Sequence, residues 1–247
     1  MPNPVLDCLC THRSIRRFKG KPLDPETLET ILHAGTRAAT AGNIQPYSLL
    51  VVDDRETLED MTFGDAPCVV IALVDLHRQK RWLELNDAPF YWDQTSNFLI
   101  SYWDATIALH NVIVAAESVG LGTLYIGAVV AQNMQESFGS PEHVFPAGMV
   151  ILGYPDEEPE LRPRLPLEAV VHRNKYRDPT DDEIRTWYHH RDVLWNTMNP
   201  DRRAKLEKRG IRNCAQTVTL GHYTAEFTEW ESAGIVENLR RAGFRFA

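Results

Sequence analysis

Thr11-His12-Arg13-Ser14-Ile15-Arg16-Arg17-Phe18 places three arginines, a histidine and a serine hydroxyl within eight residues. A fork of guanidinium donors beside a hydroxyl suits a phosphate group, because arginine binds such oxygens bidentately. The same composition also fits a solvated basic turn. Two further stretches favour the phosphate reading. One is a second basic pair, Arg162-Pro163-Arg164. The other is a polar, glycine-containing turn, Thr40-Ala41-Gly42-Asn43-Ile44-Gln45-Pro46.

Upstream of the basic segment, Asn3-Pro4 supplies a capping side chain and then proline at the first helical position. Val5, Leu6, Leu9 and Cys10 form the apolar face of this short helix. Downstream, Asp24-Pro25-Glu26 repeats the cap-then-proline signal. Leu28, Ile31, Leu32 and Gly35 recur at helical spacing, which predicts a helix of about three to four turns ending near Thr40. Residues 47–52, Tyr-Ser-Leu-Leu-Val-Val, read as a strand closed by Asp53-Asp54, and residues 55–61 as a short helix. Residues 67–74 are apolar throughout and predict a strand buried on both faces. Residues 77–94 are polar, aromatic and irregular, so a loop or mobile helix is expected there.

Residues 95–119 form the longest periodic run, with Phe98, Leu99, Tyr102, Trp103, Ile107, Leu109, Val112 and Ile113 among its apolar members. A helix apolar on nearly all faces must be buried on nearly all faces. Asp104, His110, Asn111 and Glu117 interrupt it, and no basic anchors flank it, which disfavours a membrane span. A central helix at a subunit interface fits the pattern, so a homodimer is expected. Gly120 and Gly122 end the run. A strand over 123–130, a short helix over 132–138 and a strand over 147–152 follow. Strands separated by helices argue for an α+β or α/β three-layer domain with a mixed sheet. Residues 155–166 read as an extended loop. Residues 177–247 turn polar and hold no core large enough to fold alone.

The 247 residues carry a formal net charge of −8. That disfavours non-specific binding to nucleic acid or to an anionic membrane. The four cysteines, Cys8, Cys10, Cys68 and Cys214, show no zinc spacing. The adjacent His189-His190 pair lacks further ligands, so no metal is expected. No charged-then-apolar signal segment opens the chain, which makes cytoplasmic placement the expectation. Neither a Gly-x-Ser-x-Gly elbow nor a Walker loop nor a Gly-x-Gly-x-x-Gly turn occurs, which argues against a serine hydrolase and a doubly wound dinucleotide fold.

Four motifs in this order resemble the flavin-dependent nitroreductase family, in particular its subgroup of oxygen-insensitive NADPH nitroreductases and flavin reductases. They are His12-Arg13-Ser14-Ile15-Arg16, Asn43-Ile44-Gln45-Pro46-Tyr47, Tyr125-Ile126-Gly127-Ala128 and Leu161-Arg162-Pro163-Arg164-Leu165-Pro166. The resemblance spans about residues 3–176. It implies an α+β, nitroreductase-like three-layer fold with a mixed central sheet flanked by helices. Residues 1–176 would form the FMN-binding domain, and residues 177–247 a C-terminal extension wrapping that domain or the partner subunit. It also implies FMN as cofactor, NADPH or NADH as electron donor and a ping-pong mechanism. The acceptor would be a small molecule: a nitroaromatic, a quinone or free flavin.

By the same resemblance, His12, Arg13, Ser14, Arg162 and Arg164 serve the flavin phosphate. Arg16 lies at the pyrimidine edge of the ring, and Thr40 and Asn43 reach the cofactor, in this family often across the dimer interface. The backbone of Gly127 and Ala128 meets N5 and O4. No side chain is assigned a catalytic role, because flavin N5 carries the chemistry. A flavin-binding carrier or sensor without turnover, and a specialised flavin oxidase, are the alternative readings. Three departures stand out. The turn before Asn43 is poor in serine, and Ala128 replaces a second glycine. Residues 62–66 look shortened and lack a glutamine for the flavin edge.

Overall fold

The computed structural model describes residues 3–61, 66–131 and 133–246. The question of a flavin-edge side chain in the shortened stretch falls almost wholly on residues 62–65, outside the described residues. The chain divides into two compact units, Met1–Leu161 with Ala233–Ala247, and Arg162–Ser232. The second unit opens at Arg162, and the last fifteen residues belong to the first unit.

In the first unit, α1 (Pro4–Cys10) and α2 (Pro25–Gly35) begin at the side-chain caps Asn3 and Asp24, each followed by proline. Helix α2 stops at Gly35, short of Thr40. β1 (Tyr47–Val52), α3 (Arg55–Asp60) and β2 (Cys68–Asp75) follow. The next stretch, expected to be a loop or mobile helix, opens with a regular helix, α4 (Leu76–Glu84), whose first turn the Asp75 side chain caps by accepting from the Arg78 N–H. Then come α5 (Thr95–Ser118), β3 (Gly122–Ile126), α6 (Met134–Phe138) and β4 (Val144–Gly153). A 3-10 turn, Ala128–Ala131, replaces the expected end of the β3 strand.

Among the described residues these strands form one four-stranded sheet, in the order β1-β2-β4-β3, with every neighbouring pair antiparallel. The parallel element of the expected mixed sheet is confined to isolated bridges, Ser14 to Thr123 and Gln94 to Arg245. The reason is topological: β2 and β4 are central, and each long excursion returns the chain antiparallel to its neighbour. β2 is buried on both faces, as its composition predicts. Its alternate residues serve two cores. Val70, Ala72 and Val74 pack with α5 residues such as Ala108, Leu109 and Val112. Val69, Ile71 and Leu73 pack with Ile15, Phe18, Leu58 and Met134. Helices α2 and α5 thus cover one sheet face. The basic segment, α3 and α6 cover the other, giving the three layers of the α+β fold. The β2–β4 register slips between Ala72 and Leu73, opposite Gly148 and Pro146. Proline is tolerated at such a bulge because no ladder N–H is needed.

Helix α5 is long and apolar enough to span a bilayer by composition. Here one face is packed into the core, with Asp104 and Ser101 buried among its apolar residues. Its other face leaves Leu99, Ile100, Trp103 and Ile107 exposed, Trp103 at 57%. Burial is therefore not all-round within a single chain.

The second unit begins with the expected extended stretch and continues through α7 (Leu167–Val170), α8 (Asp181–Asn196), α9 (Pro200–Lys208) and α10 (Cys214–Gln216). A π-helical turn, Thr217–His222, leads into α11 (Ala225–Arg241), whose second half belongs to the first unit. Helix α8 starts on a capping box in which Thr180 and Glu183 satisfy each other's backbone N–H groups.

Candidate functional site

After α1 the chain lies against β3. The Ile15 N–H donates to the Thr123 carbonyl at 2.8 Å, the Lys19 N–H to Tyr154 at 2.9 Å, and the Asp156 N–H to Arg17 at 2.9 Å. Two buried side chains pin the segment over glycines. A Cβ on Gly122 would stand 2.8 Å from Ile15 Cγ1, and one on Gly153 would stand 2.7 Å from Phe18 Cδ1. The close approach that holds the basic segment to the sheet therefore requires residues without a side chain at both positions.

The polar groups of the segment divide into those the fold uses and those it leaves. Glu157 accepts the backbone N–H groups of Arg16 and Arg17 at 2.5 and 3.1 Å and pairs with the Arg17 Nε at 3.4 Å. The Arg16 backbone bond, first among these, holds the Glu157 carboxyl below the usual range. Arg13 Nη1 donates to the Pro159 carbonyl at 3.1 Å and lies 3.6 Å from Glu158. His12 Nδ1 lies 2.7 Å from Glu117 Oε1, which also accepts from Thr123 Oγ1 at 2.5 Å. The Arg16 guanidinium, by contrast, bonds only the Ser14 carbonyl, at 3.5 Å, and makes no ion pair among the described residues, although its charge acts on the Glu157 carboxyl. The Ser14 hydroxyl has no hydrogen-bond partner among the described residues either.

A cavity of about 1270 Å³ runs between α1, the C-terminal half of α5 and residues 155–158. Arg13, Ile15 and Lys19 line it; Ser14 and Arg16 do not. Side chains alternate along an extended segment, so this groove lies on the Arg13 side and the free donors of Ser14 and Arg16 lie on the other.

The Thr40–Pro46 turn is held from within. Thr40 Oγ1 donates to buried Asp104 at 2.6 Å, the Ala41 N–H donates to the same oxygen at 3.0 Å, and Thr40 Oγ1 accepts the Gln45 N–H at 3.0 Å. Gly42, Asn43 and Gln45 take positive φ of 57°, 55° and 53°, so the turn depends on residues that tolerate the left-handed region at its centre. Arg78 and Gln79 clamp it further through the carbonyls of Ile44, Gln45 and Tyr47. The Thr40 side chain is thus committed to the fold, whereas Asn43 is exposed. Gly127 and Ala128 are exposed where β3 passes into the 3-10 turn.

The structure therefore ties His12 to the groove-lining Glu117, leaves Ser14 and Arg16 out of the groove lining, turns Arg13 toward the groove, and places Thr40 and Asn43 on an Asp104-anchored turn. Arg162 and Arg164 belong to the second unit, in its extended opening stretch, with both side chains exposed. The partners Glu117, Asp104 and Glu157 were not singled out as functional from sequence. The available signal was a carboxylate inside an otherwise apolar helix, which a core admits only with a partner.

The nitroreductase family model matches residues 9–154. An FMN reductase [NAD(P)H] of Bacillus subtilis is 31% identical over 257 residues, covering 98% of both chains. An NADPH-flavin oxidoreductase of Vibrio harveyi is 34% identical over 192 residues, covering 75% of this chain and 80% of its own. Among solved structures, an oxidoreductase from Bacteroides fragilis superposes with a TM-score of 0.88 at 28% identity, covering 96% of this chain and 99% of that one. With a match to more than half its length, and with the basic segment, β3 and all four strands inside the matched range, the chain belongs to the nitroreductase family.

Proposed function

We propose that the protein is an FMN-dependent NAD(P)H oxidoreductase that reduces small-molecule acceptors. The observation that carries this is the pair of unspent donors, the Ser14 hydroxyl and the Arg16 guanidinium, on a segment whose own backbone is tied to β3 and Glu157. A cation that makes no ion pair among the described residues, on the same segment as a hydroxyl with no hydrogen-bond partner there, fits an anionic cofactor. In a nitroreductase family chain, FMN is the fitting ligand. Relatives named FMN reductase and NADPH-flavin oxidoreductase support the same cofactor and donor.

His12, Ser14 and Arg16 would hold the cofactor together with Asn43 of the anchored turn; Arg162 and Arg164 are proposed as phosphate ligands on their sequence motif alone. Arg13 would act through its bond to Pro159, shaping the segment, and Thr40 through Asp104. Exposed backbone at Gly127 and Ala128 offers N–H donors to the ring. When bound, FMN supplies two-electron redox chemistry between NAD(P)H and the acceptor. The protein's part is to bind, to orient and to set the local charge. Donor and acceptor would use one space in turn, giving ping-pong kinetics with nitroaromatics, quinones or free flavin as acceptors. The exposed α5 face and the exposed Leu167, Tyr176 and Trp230 of the second unit support a homodimer in which the C-terminal part embraces a partner. The expected setting is the cytoplasm.

Purified protein should be yellow and release FMN on denaturation. Anaerobic mixing with NADPH or NADH should bleach the bound flavin within a catalytic turnover. Bound flavin that neither donor bleaches would instead make the protein a flavin binder or an oxidase. A colourless protein that cannot be reconstituted with FMN would remove the proposal.

A further inference from the structure

His12 is held in one proton arrangement by a carboxylate far away in sequence. Glu117 Oε1 sits 2.7 Å from His12 Nδ1, and Thr123 Oγ1 donates to the same oxygen at 2.5 Å. An ionised carboxylate offers only acceptors, so Nδ1 must carry a proton. In a neutral ring, Nε2 is then a lone pair, and it has no hydrogen-bond partner among the described residues. A lone pair repels a phosphate oxygen, whereas a second N–H binds it. Only the cationic ring presents that second N–H while keeping its bond to Glu117.

We propose that Glu117, braced by Thr123, is a positioning residue that fixes the Nδ1–H tautomer of His12, so that capture of the FMN phosphate requires the uptake of one proton by His12 Nε2. The proton comes from solvent and ends on Nε2; no bond other than N–H forms. This inference rests on the FMN reading of the site. Charged and titratable groups share the groove that Glu117 lines: Cys8 from α1, His110 from α5, Arg13 and Lys19 from the basic segment, and Asp156, Glu157 and Glu158 after β4. From α1, Cys8 donates its thiol to the Val114 carbonyl at 3.7 Å, and its pKa is raised by burial and then by the Glu117 charge. Within the segment, Arg13 is occupied by Pro159 and Glu158. Neither offers His12 an alternative proton acceptor.

The test is calorimetric titration of FMN into the full-length apoprotein between pH 7 and 9, in buffers of different ionisation enthalpy. The window lies above the second ionisation of a phosphate monoester, near pH 6. For the wild type, proton uptake should approach one per FMN, and Kd should rise by up to about tenfold per pH unit where uptake is complete. Riboflavin, which lacks the phosphate, should bind without this uptake. In Glu117→Leu, Nδ1 is freed to accept from Thr123, the neutral ring can donate from Nε2, and uptake should vanish. Independently of that variant's folding, long-range nitrogen–proton spectra of the wild-type apoprotein should show neutral His12 as the Nδ1–H tautomer. An Nε2–H tautomer, absence of uptake in the wild type, or equal uptake in Glu117→Leu would each overturn the inference while leaving FMN binding intact. Failure of the wild type to bind FMN at all would overturn both readings together.

Discussion

Replacing Gly122 with alanine should loosen the whole basic segment. The new Cβ would lie 2.8, 2.9 and 3.0 Å from Cγ1, Cβ and Cγ2 of Ile15. Ile15 is buried and β-branched, and its Cβ is fixed to the backbone, so rotation cannot clear all three contacts. Relief requires the segment to lift from β3, which threatens the Ile15–Thr123 hydrogen bond. Overpacking costs about 1–3 kcal/mol, and a lost backbone bond adds about 0.5–1.5 kcal/mol. The stiffer unfolded chain returns about 0.4–1 kcal/mol. The net destabilisation is about 0.5–4 kcal/mol, or a Tm lower by about 1–16 °C for a chain of this size. Because Ser14 and Arg16 ride on the same segment, the Kd for FMN should rise by about tenfold or more, as for the loss of a charge-assisted bond. Thermal melts of the apoprotein and FMN fluorescence titrations measure both effects. Gly20→Ala is the control, since nothing lies within 4 Å of its added Cβ. Ile15→Ala should cost less in the Gly122→Ala background than in the wild type, because it removes two of the three close contacts. A Gly122→Ala protein with wild-type Tm and FMN affinity would refute the argument that this clamp holds the site.

Arg16→Ala, saturated with FMN, should lower the flavin's reduction potential, because a neighbouring cation favours the more negative reduced ring; spectroelectrochemical titration giving an unchanged potential would move Arg16 out of the site. Glu183, held down to about 2 by its hydrogen bond from Arg177 and by the Thr180 backbone, has a folded pKa below its unfolded value of 4.5. Its contribution to the start of α8 is therefore complete above pH 4.5 and is lost as the pH falls toward 2. Hydrogen exchange at the first turn of α8 should rise over that window, and Glu183→Gln should flatten the response. Sedimentation should give a homodimer at micromolar concentration, and Trp103→Glu on the exposed α5 face should dissociate it; a stable wild-type monomer would contradict the shared-site reading.

The sequence determined what local physics decides. The Asn3-Pro4 and Asp24-Pro25 starts of α1 and α2 need only neighbouring residues, and so does the left-handed turn at Gly42-Asn43. The apolar run of β2 reads as a strand buried on both faces because nothing in it can face water. The order of motifs carried the family and, with it, the α+β class. Residues 77–94 read as a loop or a mobile helix because the cap of α4 is Asp75, which the sequence offers equally as the end of β2. Only the tertiary structure decided which site residues are free and which are spent. His12 meets Glu117 across 105 positions and Thr40 meets Asp104 across 64. No periodicity records a pairing between separate elements. Arg13 and Arg16 look alike in sequence, yet Pro159 and Glu158 engage one while the other makes no ion pair among the described residues. That difference arises because an extended segment sends successive side chains to opposite sides, and the sheet decides what lies on each side.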